Sequence, residues 1–418
     1  MKTLIFFSRK FLIRNLCVSA AFLIGTVLFI STAWADFTFV HRDLQTGIYS
    51  NANSMISFRY MRHIWTSNDG AMAAVVQQGG YEGYGLVLFN TLDDGLNWAA
   101  EVEISEDTQV ASDGIIDLNN DILLVTSLLG DGDDIVNVNF VRLTYDPISH
   151  AWSKDLSAQT TVFRSGRKFR ATRATIAEDS NGVLWSAFRL KNSVSGIFQI
   201  RVYYSEDGGT TWNDSGNSFG IRNYLADKSV KVIAVGSRIA IIYNDVRAKG
   251  SIVESFKAWA YREDSQALDD GWNKKYFAKM TTADGDPYGS HWSVAADYSG
   301  NIHLSYEDGG IRYIRFNSGT DSWEPSSKMT RQDWHYSSIS VAPNNDIYLL
   351  VRNSDGTKVM GSMYSYASQS WGEWAAVSSQ SYSGYLRMSS PERFIDYMPV
   401  LYQIQQNPPY GLMYDLFR

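Results

Sequence analysis

One short pattern returns along this chain, and its period limits the possible folds more than any other feature. A turn of Gly, Asn, Asp or Ser leads into a β-prone run at NDGAMAAVV (68–76), NNDILLVTSL (119–128), SNGVLWSAF (180–188), VGSRIAIIY (235–243), SGNIHLSY (299–306) and NNDIYLLV (344–351). A looser copy, DYMPVLYQI, starts at Asp396. With Gly70, Asn120, Gly182, Gly236, Gly300, Asn345 and Asp396 as reference points, the step is about 45–64 residues, the spacing of propeller blades. Trp98, Trp152, Trp212, Trp272, Trp323 and Trp371 repeat with the same period, each following one of the first six turns. Between these marks the apolar runs are short and bounded by turn residues, without a helical period. Four strands fit each unit, and radial closure leaves only short sheet edges. The expected fold is therefore all-β, a single β-propeller. Seven turns against six tryptophans point to seven blades, the last completed by the N-terminal strand FTFV (37–40); six blades with a terminal extension is the alternative.

Composition narrows the function. A net charge of -7 argues against a nucleic-acid partner, which calls for a basic balance. With 44% hydrophobic and 19% charged residues, the chain can fold. Residues 1–35 contain Lys2, Arg9, Lys10 and Arg14 but no acid, then an apolar run from Leu16 to Ile30 and Ala33-Trp34-Ala35 before Asp36. This is the pattern of a secretory signal peptide, so residues 1–35 are expected to be removed and residues 36–418 to form the propeller. The protein is then secreted or periplasmic, monomeric, and off the membrane after cleavage. Its charge falls to about -11 by the same counting. Cys17 is the one cysteine and leaves with the leader, which excludes disulfides, zinc–thiolate sites and cysteine nucleophiles.

Two units contain a sharper turn. SEDGGTTW (205–212) fits the pattern S-x-D-x-G-x-T-W in full, and TLDDGLNW (91–98) fits it with Thr91 and Asn97 substituted. Asp93 and Asp207 can cap backbone amides, Gly95 and Gly209 can take positive φ, and Trp98 and Trp212 can pack between blades. In these residues the mature chain resembles the Asp-box (BNR repeat) propellers of the sialidase superfamily. The resemblance implies a structural role for all six.

In a propeller the innermost strand of each blade starts at the mouth of the central funnel. Nine positions before each reference turn stand Met61, Ala111, Arg173, Asp227, His291, Tyr336 and Arg387, with Arg62, His63, Asp113, Arg170, Lys228, His335 and Arg59 close by. Equal offsets mean similar heights, so these side chains can converge. Arg59, Arg62, Arg170, Arg173 and Arg387 make a positive centre whose planar forks suit a carboxylate. Tyr336, His335 and His291 are the candidates for acid, base or nucleophile, with His63, Asp227 and Lys228 as further funnel candidates. The expected partner is an acidic glycan, a sialic acid or a uronate.

FRYM (58–61) resembles the sialidase F/Y-R-I-P motif, without its proline, and implies that Arg59 binds a carboxylate. HYSSISVAPNNDIYLLV (335–351) resembles the sialidase segment around the nucleophilic tyrosine and implies that role for Tyr336. AVVQQGGYEGYG (74–85) has no aspartate where sialidases place their acid/base; its one carboxylate is Glu82. SHWSVAADYSGNIHLSYEDGG (290–310) is similar to the repeat of BNR-type polysaccharide lyases. Three functions stay open in this order: hydrolysis of a glycosidic bond of an acidic sugar, β-elimination by a polysaccharide lyase, and glycan binding without catalysis. No cofactor is expected. GDGDD (130–134) offers carboxylates to calcium but reads as a solvated acidic turn. The basic run RSGRKFRATR (164–173) leads into an inner strand, which suits a glycan better than a nucleic acid.

Overall fold

The reference turns become the first hairpin of each blade. This computed structural model describes residues 37–417 except 53–54, 57, 80–83, 106–107, 130–135, 155–158, 167, 223–228, 250–251, 281–290, 332, 383–386 and 405–406. The leader, Glu82, the GDGDD turn, Asp227 and Lys228 lie outside the described residues, as does the side chain of Ala111. Gly70, Asn120, Gly182, Gly236, Gly300 and Asn345 all adopt positive φ, between 59° and 92°. That conformation favours Gly and tolerates Asn, which accounts for the residue types at these six turning points. In the turns at Asp117, Asp179 and Asp297 the aspartate accepts two backbone amides, from Asn119 and Asp121, Asn181 and Val183, and Ser299 and Asn301.

Every regular element among the described residues is a strand, and the strands form seven blades of four positions each, the outermost position being split into two short strands in blades 2, 5 and 6. Blade 1 runs Ile64–Thr66, Met72–Gly79, Tyr84–Thr91 and Ala99–Ser105 from the inside outward. The inner strands of blades 2 to 7 are Thr108–Ile116, Phe169–Glu178, Val230–Val235, Trp292–Ala296, His335–Val341 and Arg387–Ser389. Blades 2 and 3 join into one nine-stranded sheet through a single parallel pairing of Arg170 with Val136. Blade 7 closes the ring. Its order is Arg387–Ser389, Met398–Ile404, Tyr410–Phe417 and, outermost, Phe39–Ser50. The N-terminal strand thus completes the last blade, with Phe39 opposite Phe417 and Ser50 opposite Tyr410.

The two sharp turns cap themselves in the same way. Asp207 accepts the Thr211 amide at 2.8 Å and the Ser205 hydroxyl at 2.8 Å, and Asp93 accepts the Asn97 amide at 2.9 Å and the Thr91 hydroxyl at 2.7 Å. Gly209 packs on Phe140 and Gly95 on Tyr414, so close that a Cβ would lie 2.3 Å and 2.1 Å from those rings. Trp212 contacts Phe140 of blade 2, and Trp98 contacts Tyr414 of blade 7. Each turn therefore locks its blade to the preceding one.

The channel is plugged below its mouth. Residues 58–63 cross the axis, with Tyr60 and Met61 packed among the blade 4 and blade 5 core around Trp259 and Trp292. The buried Arg62 guanidinium donates to the carbonyls of Val294, Ile339 and Ser390, tying blades 5, 6 and 7 together. Asp113 accepts the Arg62 and Ile176 amides and pairs with Lys231 at 2.6 Å, both side chains being almost fully buried. Burial pushes the Asp113 carboxyl up, and Lys231 opposes the shift. This plug closes the funnel below its mouth and gives it a charged floor.

Candidate active site at the funnel mouth

Two inner strands deliver the histidines. His291 immediately precedes the inner strand of blade 5, and His335 begins that of blade 6. The blade 6 strand bulges between His335 and Ser337, leaving Tyr336 at φ 52°. A bulky residue in that region is strained, and such outliers gather at functional sites. The only other inner-strand residue of this kind among the described residues is Arg173, at φ 60°, within the blade 3 bulge. Both stand nine positions before their reference turns.

Glu307 organises the group. It ends the second strand of blade 5, Ile302–Glu307, and its side chain is 6% exposed. Its Oε2 meets Nδ1 of His291 at 2.9 Å and Nδ1 of His335 at 3.3 Å, while Oε1 accepts the Tyr336 amide at 2.7 Å. Burial works against its charge, but the bonds from His291, His335 and the Tyr336 amide hold the carboxyl well below the usual glutamate range. An ionised carboxylate only accepts, so Nδ1 of each imidazole is the donor, and in a neutral imidazole Nε2 is then the acceptor.

Arginines lie over the tyrosine. Arg59 Cζ is 3.8 Å and Arg352 Cζ 4.6 Å from the Tyr336 ring centroid, and His291 meets the same ring edge-on at 4.6 Å. Arg59 is held by its neighbours: Phe58 stacks on Tyr60, and Tyr60 stacks on Trp292 at 4.9 Å. Arg173 of blade 3 lies over Phe58 at 4.1 Å. The pit thus combines two imidazoles, a phenol and an arc of guanidinium groups.

Not every expected residue arrives there. Tyr336, His335, His291, Arg59 and Arg173 come together. Arg62 lies in the plug below, its guanidinium occupied by backbone carbonyls, because residues 58–63 turn inward across the axis instead of continuing an inner strand. His63 is buried with 1% exposure on the same segment and does not line the pit. Arg387 opens the inner strand of blade 7 opposite Gln403, and Arg170 stands opposite Lys191 higher on blade 3; both are half-buried.

Glu307 and Arg352 were not anticipated. Stepping back from the turns samples the first strand of each blade, whereas both residues end the second. Seven positions after Gly300 and Asn345 stand Glu307 and Arg352, so the forward step would have found them. Among the described residues no group of three or more His, Cys, Asp and Glu side chains is arranged to hold a metal ion. A cavity of about 410 Å³ at the other end of the ring is lined by Glu178, Asp179, Asp297, Tyr298 and Arg393 among others. The candidate site is the histidine end, where strain, paired imidazoles and guanidinium groups coincide.

No family model matches the chain, and no curated protein matches it. Solved structures do. An ulvan lyase bound to -[GlcA(1-4)Rha3S]- is 12% identical with a TM-score of 0.53, over 90% of this chain and 95% of that one. The polysaccharide lyase Uly1 is 11% identical with a TM-score of 0.51, over 93% and 95%. A mutant α-L-arabinofuranosidase, Arb93A from Fusarium graminearum, is 9% identical with a TM-score of 0.51, over 79% and 99%. These similar structures are carbohydrate-processing enzymes, lyases and hydrolases alike; at such identities the likeness is one of fold.

Proposed function

We propose that this protein is an exported polysaccharide lyase that cleaves uronate-containing glycans by β-elimination. The observation that carries this reading is the commitment of Glu307 to His291, His335 and the Tyr336 amide. Hydrolysis by paired carboxylates needs one that is protonated and can donate, and Glu307 is held ionised. Elimination needs none. The forks of Arg59 and Arg352 suit the uronate carboxylate, and neutralising that charge acidifies the proton on C5. Nε2 of His291 takes the C5 proton, the electron pair forms the C4=C5 bond, and the C4–O bond breaks. The Tyr336 hydroxyl protonates the departing oxygen, which stays on the neighbouring sugar as its new reducing-end hydroxyl. The tyrosine and histidine then exchange their protons with solvent, and no water is consumed.

The sialidase-like reading, with Tyr336 as nucleophile, remains the alternative, supported by the two arginines above the ring. It requires a carboxylate to activate the phenol, and Glu307 is engaged by the tyrosine's amide. One experiment separates the readings. The purified protein is assayed for ultraviolet absorbance of unsaturated uronate released from acidic polysaccharides, and in parallel for release from a fluorogenic sialoside. Absorbance growth with a silent sialoside supports the lyase, the converse supports the hydrolase, and binding on a glycan array without either signal makes the protein a lectin. We further propose that residues 1–35 direct export; N-terminal sequencing of the secreted protein should begin at Asp36.

A further inference from the structure

The basic run that ends at Arg173 is not used up by the pit. In blade 3 the inner strand Phe169–Glu178 pairs with Leu184–Asn192 so that Arg170 faces Lys191 and Thr172 faces Arg189. Cross-strand partners and residues two apart share a face, which gathers Arg170, Arg189 and Lys191 on one side of the blade. Arg189 donates to the Thr172 hydroxyl at 3.0 Å. Arg189 Cζ and Lys191 Nζ lie 5.2 Å and 5.6 Å from the Phe198 ring centroid, so both cations rest on one ring. Arg164 and Lys168, just ahead of the strand, are exposed.

The arrangement sets like charges close together. Like charges directly opposite on neighbouring strands are destabilising, and the chain as a whole is acidic. The position supplies a reason. Arg189 stands seven residues after Gly182, as Glu307 and Arg352 stand seven after their turns, so it reaches the level of the mouth. Lys191 is two residues further, roughly 7 Å higher. Cations therefore recur from the pit outward: Arg352 and Arg59 over Tyr336, Arg173 over Phe58, and on blade 3 Arg189 and Lys191 over Phe198.

We propose that the Arg170–Arg189–Lys191 face of blade 3 is a second anion subsite, which holds a carboxylate or sulfate ester on a sugar beyond the cleavage position. The protein then takes polymers with repeated anionic groups in preference to short fragments. This rests on the reading of the pit as a site for acidic glycans, though not on which bond is broken.

The test is calorimetric binding of the purified protein to polygalacturonate, which has carboxylates only, to chondroitin sulfate, which has carboxylates and sulfate esters, and to debranched arabinan, which is neutral. Arg189→Ala/Lys191→Ala should weaken binding to a charged polymer at least tenfold and flatten its salt dependence. Lys191→Arg should bind as the parent does. A loss confined to chondroitin sulfate assigns the face to sulfate esters, and a loss with both polymers assigns it to anions in general. Unchanged affinity of the double variant for both charged polymers overturns the proposal, as does tighter binding of arabinan. Lys191→Gln, with its thermal midpoint checked against the parent, covers the case in which the double variant fails to fold. Charged polymers bound through blade 3 but left uncleaved would sink the lyase reading and leave the subsite standing.

Discussion

Among the described residues, Glu307 is the carboxylate that ties His291, His335 and the Tyr336 amide together. Glu307 fixes both imidazole tautomers, so Glu307→Gln should lower kcat on an acidic polysaccharide by roughly 10–100-fold with little change in KM, a positioning effect unlike loss of a substrate contact. His291→Ala and Tyr336→Phe should each cost on the order of 10²–10⁴-fold if they move the protons; turnover within tenfold of the parent would remove that residue from the mechanism. The sign of the pH effect follows from the depressed Glu307 carboxyl. Its stabilisation is fully present above the ordinary glutamate value of about 4.3 and is lost as pH falls below it. Acid unfolding of Glu307→Gln should therefore be less steep than that of the parent, followed by circular dichroism. The places of His291 and Tyr336 at the mouth were legible because each stands nine residues before a turn, and His335 because it adjoins Tyr336. Glu307 and Arg352 were hidden because the partner strand brings them back to the same height.

At the level of elements, turns and strand ends hold the blades in place. Gly209 has φ 97° and touches Phe140 of the neighbouring blade, so Gly209→Ala combines strain with a clash. It should cost about 1–3 kcal/mol or more in denaturant unfolding; a smaller loss would mean that the turn shifts freely. The closing strand contains a titrating group. Asp415 of Tyr410–Phe417 accepts the Asp43 amide of Phe39–Ser50, and its carboxyl is pushed up to about 7, first by burial and then by nearby Asp43. A raised carboxyl favours folding when neutral, so this contribution is present below about pH 4 and fades as pH rises towards about 7. Asp415→Asn should flatten stability across that window, measured as denaturant midpoints. The repeat was legible because positive-φ turns favour Gly and Asn, and the closing role of the N-terminus because seven turns stood against six tryptophans with FTFV (37–40) left over. The Asp43–Asp415 contact joins the two ends of the chain, and no local pattern marks it.

For the whole molecule, the ring is a scaffold with a plugged axis and a candidate site at one mouth. The plug depends on a buried ion pair between blades 2 and 4, Asp113 with Lys231. Removing one partner strands the other charge, so Lys231→Ala should destabilise the fold by roughly 3–5 kcal/mol. The sequence placed Arg62 and His63 in the funnel by their offset from Gly70. Long-range packing of residues 58–63 against Trp292 turns them downward instead, and a regular period cannot encode that departure. What remains above the plug is a pit with two imidazoles, a phenol and guanidinium groups, which by our proposal breaks a uronate chain without water. Digestion of an acidic polysaccharide in heavy-oxygen water, with products weighed by mass spectrometry, tests this directly. The account predicts unsaturated uronate ends and no heavy oxygen gained in cleavage, after correction for exchange at reducing ends. Saturated products that have each gained one heavy oxygen would contradict it.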